Sequence, residues 1–417
     1  MTTDRSFSAM LNEYLTNELL MEELIKRDYW LNKVAKDEDW KGGDVIVPFR
    51  GARASSVKFG GLTASNDIAQ SKFVRGKINA YKEVWGSLIF NEADLQQHDG
   101  KMPESTFLKI LPDEIDNFMD YFKELTSFQL GSGPYFAKVT DSTSAASGIQ
   151  IVDRVDRFII DMKCTIDDDN SSPIDVYVTN IVVDTGAVTF SLTRGGAAAD
   201  LSAYTSGQNA KLYYDGVWDG TDSSSFISIK DALLSSANGG AATLHGQTKT
   251  AYPYLQAVNV DGSSVSGTNI VEKLFDFYVT VRQKARGKAE TLVMSYKNWG
   301  SIMKSQQIQK GAFVVTEAPK KSEFGWTDMT IASTQTGDSL TISGVQEQPD
   351  DLIYAVDWKS MKFLSNGGFK TRKAPDGRMY YEVRNTTGYQ YIVDTCLFGE
   401  MQHTKPSNNG VIYGISY

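Results

Sequence analysis

The chain of 417 residues holds only two cysteines and three histidines. Cys164 and Cys396 lie far apart inside apolar, strand-like runs, where a thiol acts as a small hydrophobe, so no disulfide is expected. His98, His245 and His403 have no Cys or His near them at metal-ligand spacing, which assigns them to surface or packing. No apolar run approaches the roughly 20 residues that a membrane span needs. The opening MTTDRSFSAMLNEYL carries Asp4 and Glu13 and lacks a signal-peptide core, so cytoplasmic synthesis is expected. Also missing are a G-x-x-x-x-G-K-S/T phosphate loop, a G-x-G-x-x-G turn, a G-x-S-x-G elbow and an H-E-x-x-H pair. Without an acid/base or metal constellation, no enzymatic role and no cofactor are expected. The net charge of −9 disfavours the clustered Lys and Arg of a nucleic-acid grip. Asp167-Asp168-Asp169-Asn170 is the best metal candidate, but it lacks the spaced acids and late Glu of a calcium loop and reads as a solvated turn between strands.

The chain is organised around residues 42–133, a long polar hairpin that feeds an amphipathic helix. In residues 112–129, Ile115, Phe118, Met119, Phe122 and Leu125 recur at spacings of three and four, the period of one buried helical face. Pro112 suits a first helical position, Asp113, Glu114 and Asp116 complement the positive end of the helix dipole, and Gly131 and Gly133 close the helix. Phe107, Leu108 and Leu111 extend the stripe backwards if Pro112 only kinks it. Ahead of this spine, residues 44–53 and 73–85 read as hairpin legs around a tip, 54–71, of Ser, Gly, Ala and Asn. Residues 42–77 carry Arg50, Arg53, Lys58, Lys72, Arg75 and Lys77 against Asp44 and Asp67, a balance of +4, while 104–124 carry six acids, Asp113, Asp116 and Asp120 among them, against Lys109 and Lys123, a balance of −4. The arm therefore fits a neighbour's spine, where complementary charge sets register. An exposed loop over an ordinary acidic helix face is the simpler alternative.

At this length two or three domains are expected. Residues 10–34 read as a broad amphipathic helix that must dock, followed by the charged run 36–41. Residues 82–90 read as a buried strand and 91–97 as a helical turn. From residue 149 the period switches to two, with strands at 149–152, 158–166, 174–183, 188–192 and 210–214, so that 149–216 is a small all-β insert. A short helix at 228–235 precedes a Gly, Ser, Thr and Ala stretch, 237–267, with little periodicity, the kind of long loop that serves function or spans an interface. Asn269 with Glu272 resembles a capping box ahead of the stripe Ile270, Leu274, Phe277, Tyr278 and Val281. A strand at 291–295, a helix at 296–305 and strands at 313–316, 329–332, 339–343 and 352–356 complete an α/β layer. Residues 361–364 and 379–384 form strands joined by a tight turn at Ala374-Pro375-Asp376-Gly377, and 389–398 and 410–416 are closing strands. The basic runs 282–288 and 370–378 read as solvated or salt-bridged surface.

This order of parts, with Asn91-Glu92-Ala93-Asp94-Leu95 ahead of the spine and Leu352-Ile353-Tyr354-Ala355-Val356-Asp357-Trp358 near the end, resembles the major capsid proteins of tailed phages, the Hong Kong 97 fold. The resemblance covers nearly the whole chain. It implies an α+β fold with an N-terminal arm (1–41), an E-loop (42–82), a peripheral domain with the spine helix (83–139 and 357–417) and an axial domain (140–356) that carries the β insert. It further implies a virion protein, assembled in the host cytoplasm, whose copies form the hexamers and pentamers of an icosahedral shell around double-stranded DNA. A portal protein and decoration proteins are implied as partners, and a separate scaffolding protein too, since no scaffolding segment precedes the first helix. Some relatives join an E-loop lysine to a neighbour's asparagine; Lys58 and Lys72 are present, but no acceptor is matched. Arg50, Arg53, Lys58, Lys72, Arg75, Asp113, Asp116 and Asp120 are the expected inter-subunit contacts. The competing functions are a β-rich, adhesin-like surface protein with a ligand site in 149–216 and an enzyme of unfamiliar type.

Overall fold

The computed structural model describes residues 28–52, 72–79, 81–91, 104–168, 171–205, 210–219, 224–285, 289–308, 328–332, 339–378, 380–385 and 388–416. The fold is α+β, in two compact units: Met1–Ser127 with Asp231–Tyr417, and Phe128–Lys230.

The first unit contains two large sheets. The six-stranded sheet runs Val258–Asp261, Gly410–Tyr413, Leu352–Val356, Thr291–Ser295, Ser339–Val345 and Asp328–Ala332. Helix Ile270–Ala285 packs Ile270, Leu274, Phe277 and Val281 against Leu292, Met294, Ile342, Ile353 and Ile412, as the helical period requires. The central strands are buried on both faces because Tyr354, on the other side, meets Trp30 edge-on at 6.2 Å within a cluster that includes Tyr29 and Trp358. Two expectations change here. The stretch 237–267 is a run of short helical turns and a small hairpin that ends in an edge strand, Val258–Asp261. The closing strand Gly410–Tyr413 joins this sheet rather than the one beneath the spine. Residues 313–316 lie outside the described residues.

The five-stranded sheet is centred on Gly388–His403. One edge of that strand pairs with Lys82–Asn91, and the other with Met361–Thr371 and then Tyr381–Asn385, placed end to end. The turn at Ala374 to Gly377 forms, with Gly377 N–H on the Ala374 carbonyl at 2.9 Å, but it links two strands that share a neighbour instead of pairing with each other. Residues 357–360 and 404–409 carry the chain directly from one sheet to the other, and a buried network ties these two crossings: Asp357 N–H donates to Asn409 Oδ1 (2.6 Å) and Asn409 Nδ2 to Ser360 Oγ (2.9 Å). A polar network fully satisfied in this way fixes one arrangement.

The spine helix is Glu104–Ser132, 29 residues long. Pro112 therefore lies inside it and is not its first residue. An interior proline loses one backbone hydrogen bond and costs about 3 kcal/mol. Beyond it the helix is anchored by Met119 and Phe122, both buried. Gly133 follows the last turn, its N–H returning to the Gln129 carbonyl at 3.3 Å. The N-terminal expectation also changes. Asp28 is extended and caps helix Tyr29–Lys33, its carboxylate accepting from Leu31 N–H at 2.8 Å, so no single helix runs through 10–34. A side-chain acceptor at that position favours a helix start. Residues 1–27 and the turn expected after Asn91 lie outside the described residues.

The second unit is a closed six-stranded antiparallel barrel in the order Lys211–Tyr214, Tyr135–Asp141, Ile149–Val152, Ala187–Ser191, Ile174–Val182 and Lys163–Asp167. Its all-β character follows from the period of two. The boundary differs from 149–216, because Tyr135–Asp141 closes the barrel from before residue 149. Its interior holds Phe136, Phe158, Cys164, Ile166, Val178, Phe190 and Leu212, all buried. A six-stranded barrel is narrow enough for side chains to fill it.

Candidate assembly surfaces

The arm begins as an antiparallel ribbon, Val45–Ala52 against Lys72–Ile78. Its second leg stops at Ile78; Lys82–Asn91 is a separate strand of the five-stranded sheet, which corrects the expected leg 73–85. Alternation gives the ribbon two unlike faces. Val47, Phe49 and Ile78 point inward and are buried, whereas Ile46 (57% exposed) and Phe73 (63%) point outward beside Arg75 and Lys77. The inner face docks on the hairpin Thr243–Leu244/Gln247–Thr248: Lys77 N–H donates to the His245 carbonyl (2.8 Å), Gln247 Nε2 to the Arg75 carbonyl (2.9 Å), and the Phe49 ring stacks on the His245 imidazole at 5.9 Å. The arm's root is thus part of its own subunit.

Of the expected contacts on the arm, Arg75 is exposed on this ribbon. The backbones of Arg50 and Lys72 stand at its far end, Arg50 opposite Phe73 and Lys72 opposite Ala52. Arg53 and Lys58 lie outside the described residues. Lys77 is already answered by Asp44 at 2.7 Å, an exposed pair worth little by itself. On the spine, Asp113 and Asp116 belong to the helix, and Asp120 is exposed on the side away from Met119 and Phe122.

The spine seats its apolar stripe on the five-stranded sheet at Gly86, where an added Cβ would stand 2.6 Å from Phe118 Cζ and 2.9 Å from Phe122 Cδ2. Register places Val84, Gly86 and Leu88 on the same face as Leu397, Thr395 and Val393. Among the described residues the opposite face is open. There Trp85 (47% exposed) and Ile89 (53%) stand with Val383, and the Arg372 guanidinium lies over both the Trp85 and Tyr381 rings. Strand 82–90 is therefore not the fully buried strand expected from its sequence. Trp, Tyr and Arg on one open face are the residue types that dominate protein interfaces.

The sequence assigns His245 and His403 to surface or packing, and the structure packs both; what the sequence does not foresee is that they meet. They are distant in the chain, yet His403 N–H donates to His245 Nε2 at 3.0 Å, their rings lie 6.2 Å apart, and both are buried. No local pattern announces such a pair. Burial pushes the His245 imidazole down to about 4. His98 lies outside the described residues. Both cysteines are free and buried, and burial raises their thiols. Asp167 and Asp168 are buried rather than solvated: Trp218 Nε1 donates to Asp167, and Ser171 N–H to Asp168. Among the described residues no cluster of three His, Cys, Asp or Glu is placed to hold a metal, and no helix is long and apolar enough to cross a membrane. In the basic runs, Arg282 lies over the Tyr278 ring and Arg378 pairs with Asp376 and Glu382.

No protein-family profile and no curated protein sequence matches the chain. Among solved structures, the chain is similar to the capsid of cyanophage A-1(L), at 10% identity over 100% of both chains with a TM-score of 0.48. It is also similar to the capsid of the native GTA particle (9% identity, 93% of this chain and 90% of that one, TM-score 0.46) and to Gordonia phage Cozz (11%, 93% and 86%, 0.43).

Proposed function

We propose that this chain is the major capsid protein of a tailed bacteriophage, a non-enzymatic subunit whose copies build the icosahedral shell around the genome. The observation that carries the reading is one continuous unit: a docked arm ribbon, then the strand Lys82–Asn91, then the 29-residue helix Glu104–Ser132, which lies on the sheet made by that strand and Gly388–His403. This is the order of parts read from the sequence. The exposed apolar rows of the arm and the sheet, uncovered among the described residues, support a subunit whose faces meet a partner.

In this reading the five-stranded sheet with the spine is the peripheral domain, the six-stranded sheet the axial domain, and the barrel its insertion. Arg50, Arg53, Lys58, Lys72 and Arg75 of one copy face Asp113, Asp116 and Asp120 of the next, and the chain works in the virion with portal, scaffolding and decoration proteins. Complementary charge sets the approach, and the exposed Ile46 and Phe73 supply apolar contact. Deleting residues 54–71 tests the reading by sedimentation and negative-stain imaging. The expected outcome is a folded subunit that forms no closed shells. Intact protein that stays monomeric at high concentration with scaffolding protein present, or closed shells from the deletion variant, overturns it.

A further inference from the structure

The root of the arm rests on a buried histidine whose surroundings disfavour its protonated form. His245 and the following Gly246 both have positive φ (48° and 75°), the pattern of the tight hairpin turn that presents this ring upward. The ring stacks with Phe49 at 5.9 Å and lies near-parallel to the His403 ring at 6.2 Å. Nε2 accepts from His403 N–H at 3.0 Å, which places the proton on Nδ1, a buried atom with no hydrogen-bond partner among the described residues. A second proton would have to sit on Nε2, where it would face the His403 N–H and leave a charge beneath the Phe49 ring.

We propose that His245 is a protonation-sensitive latch: its neutral ring holds the arm ribbon on its own subunit, and its protonation frees the ribbon while both sheets stay folded. The titratable groups on the packed elements are few. On the sheet strand stand His403 and Glu400, whose Oε1 accepts from Met401 N–H; on the arm, Arg75 and Lys77 point outward, Lys77 to Asp44; on the hairpin side, Lys249 is turned away to the Asp231 and Leu234 carbonyls. Burial alone keeps the imidazole down at about 4, against 6.5 when free. The sign follows: the unfastened arm takes up the proton first, so the latch is at full strength above about pH 6.5 and weakens as pH falls towards 4.

Hydrogen exchange on the intact subunit, corrected for intrinsic rates, tests this from pH 7 to 4. The amides of Val45–Ala52 and Lys72–Ile78 are expected to lose protection by up to about tenfold per pH unit below 6.5, while those of Thr291–Ser295 hold theirs. His245→Gln keeps an uncharged acceptor and is expected to abolish the pH response; His403→Gln keeps the backbone N–H and is expected to retain it. Unchanged arm protection in the wild-type protein down to pH 4 overturns the proposal, a result that does not depend on either variant folding. So does a response that survives in His245→Gln or disappears in His403→Gln. The subunit alone is measured, so the outcome is separate from that of the shell reading.

Discussion

Gly86 carries the seating of the spine, and adding one methyl group there probes it directly. In Gly86→Ala the new Cβ would lie 2.6 Å from Phe118 Cζ and 2.9 Å from Phe122 Cδ2, whereas ordinary contact begins at 3.4 Å, so the Phe118 ring must retreat by about 0.8 Å. Overpacking of this kind costs roughly 1 to 3 kcal/mol. Replacing a strand glycine by alanine returns about 0.5 to 1 kcal/mol through chain entropy, which leaves a net loss of roughly 0 to 2.5 kcal/mol. Phe118 is half-buried and gives way more easily than the buried Phe122, so the lower half of that range is expected for Ala and the upper half for Gly86→Val. The assay is the denaturant midpoint of the transition that reports the five-stranded sheet, read at constant m-value. Phe118→Leu removes the atoms that would be struck, so the double variant Gly86→Ala/Phe118→Leu is expected to be less destabilised than the sum of its singles by at least about 0.5 kcal/mol. A stabilising Gly86→Ala, or strict additivity with Phe118→Leu, would refute the seating of the helix at this glycine.

Phe122→Ala removes a buried ring and is expected to cost about 3 to 5 kcal/mol, with Asn117→Ala, exposed on the same helix, within about 0.5; equal effects in the denaturant midpoints would mean that the stripe faces no core. Burial pushes the Asp28 carboxyl up to about 7 from 3.8, so the folded chain holds that proton more tightly and its contribution to stability, complete below pH 3.8, is lost as pH rises through 7. Asp28→Asn keeps a capping acceptor and is expected to be the more stable protein at pH 8 by at least about 1 kcal/mol, with no such advantage at pH 4; thermal midpoints at the two pH values decide it. Gly148 in the barrel has φ +70°, and a Cβ would stand 2.7 Å from the Ala199 carbonyl oxygen and 2.8 Å from that of Phe190, so Gly148→Ala is expected to destabilise the barrel by at least about 2 kcal/mol. Exchange protection should then fall in Ile149–Val152 and Ala187–Ser191 but not in Leu352–Val356, and a uniform loss across both units would show that they unfold together.

What the sequence determined by itself is local and periodic. The stripe through Met119 and Phe122 announced the spine, the period of two announced the β unit, and the run from Ile270 to Val281 announced a buried helix face, because each periodicity is a direct record of which side meets the core. The turn at Gly377 and the existence of the arm hairpin were legible from their turn residues and polar tip, but the second leg stops short of its expected end and its docking was not legible. Only the tertiary structure decided what pairs with what. Whether Pro112 begins a helix or lies within one depends on packing that can offset a lost hydrogen bond. That Tyr135–Asp141 closes the barrel, and that Gly410–Tyr413 leaves one sheet for another, depends on long-range pairing, for which neighbouring residues carry no signal. The arm's charged residues were visible, but its inner face was not, since Phe49 and Ile78 count as core only once the hairpin at His245 stands opposite them. His245 and His403 show the limit most plainly: 158 residues apart in sequence, they come to share one hydrogen bond because a hairpin turn and a strand end converge there.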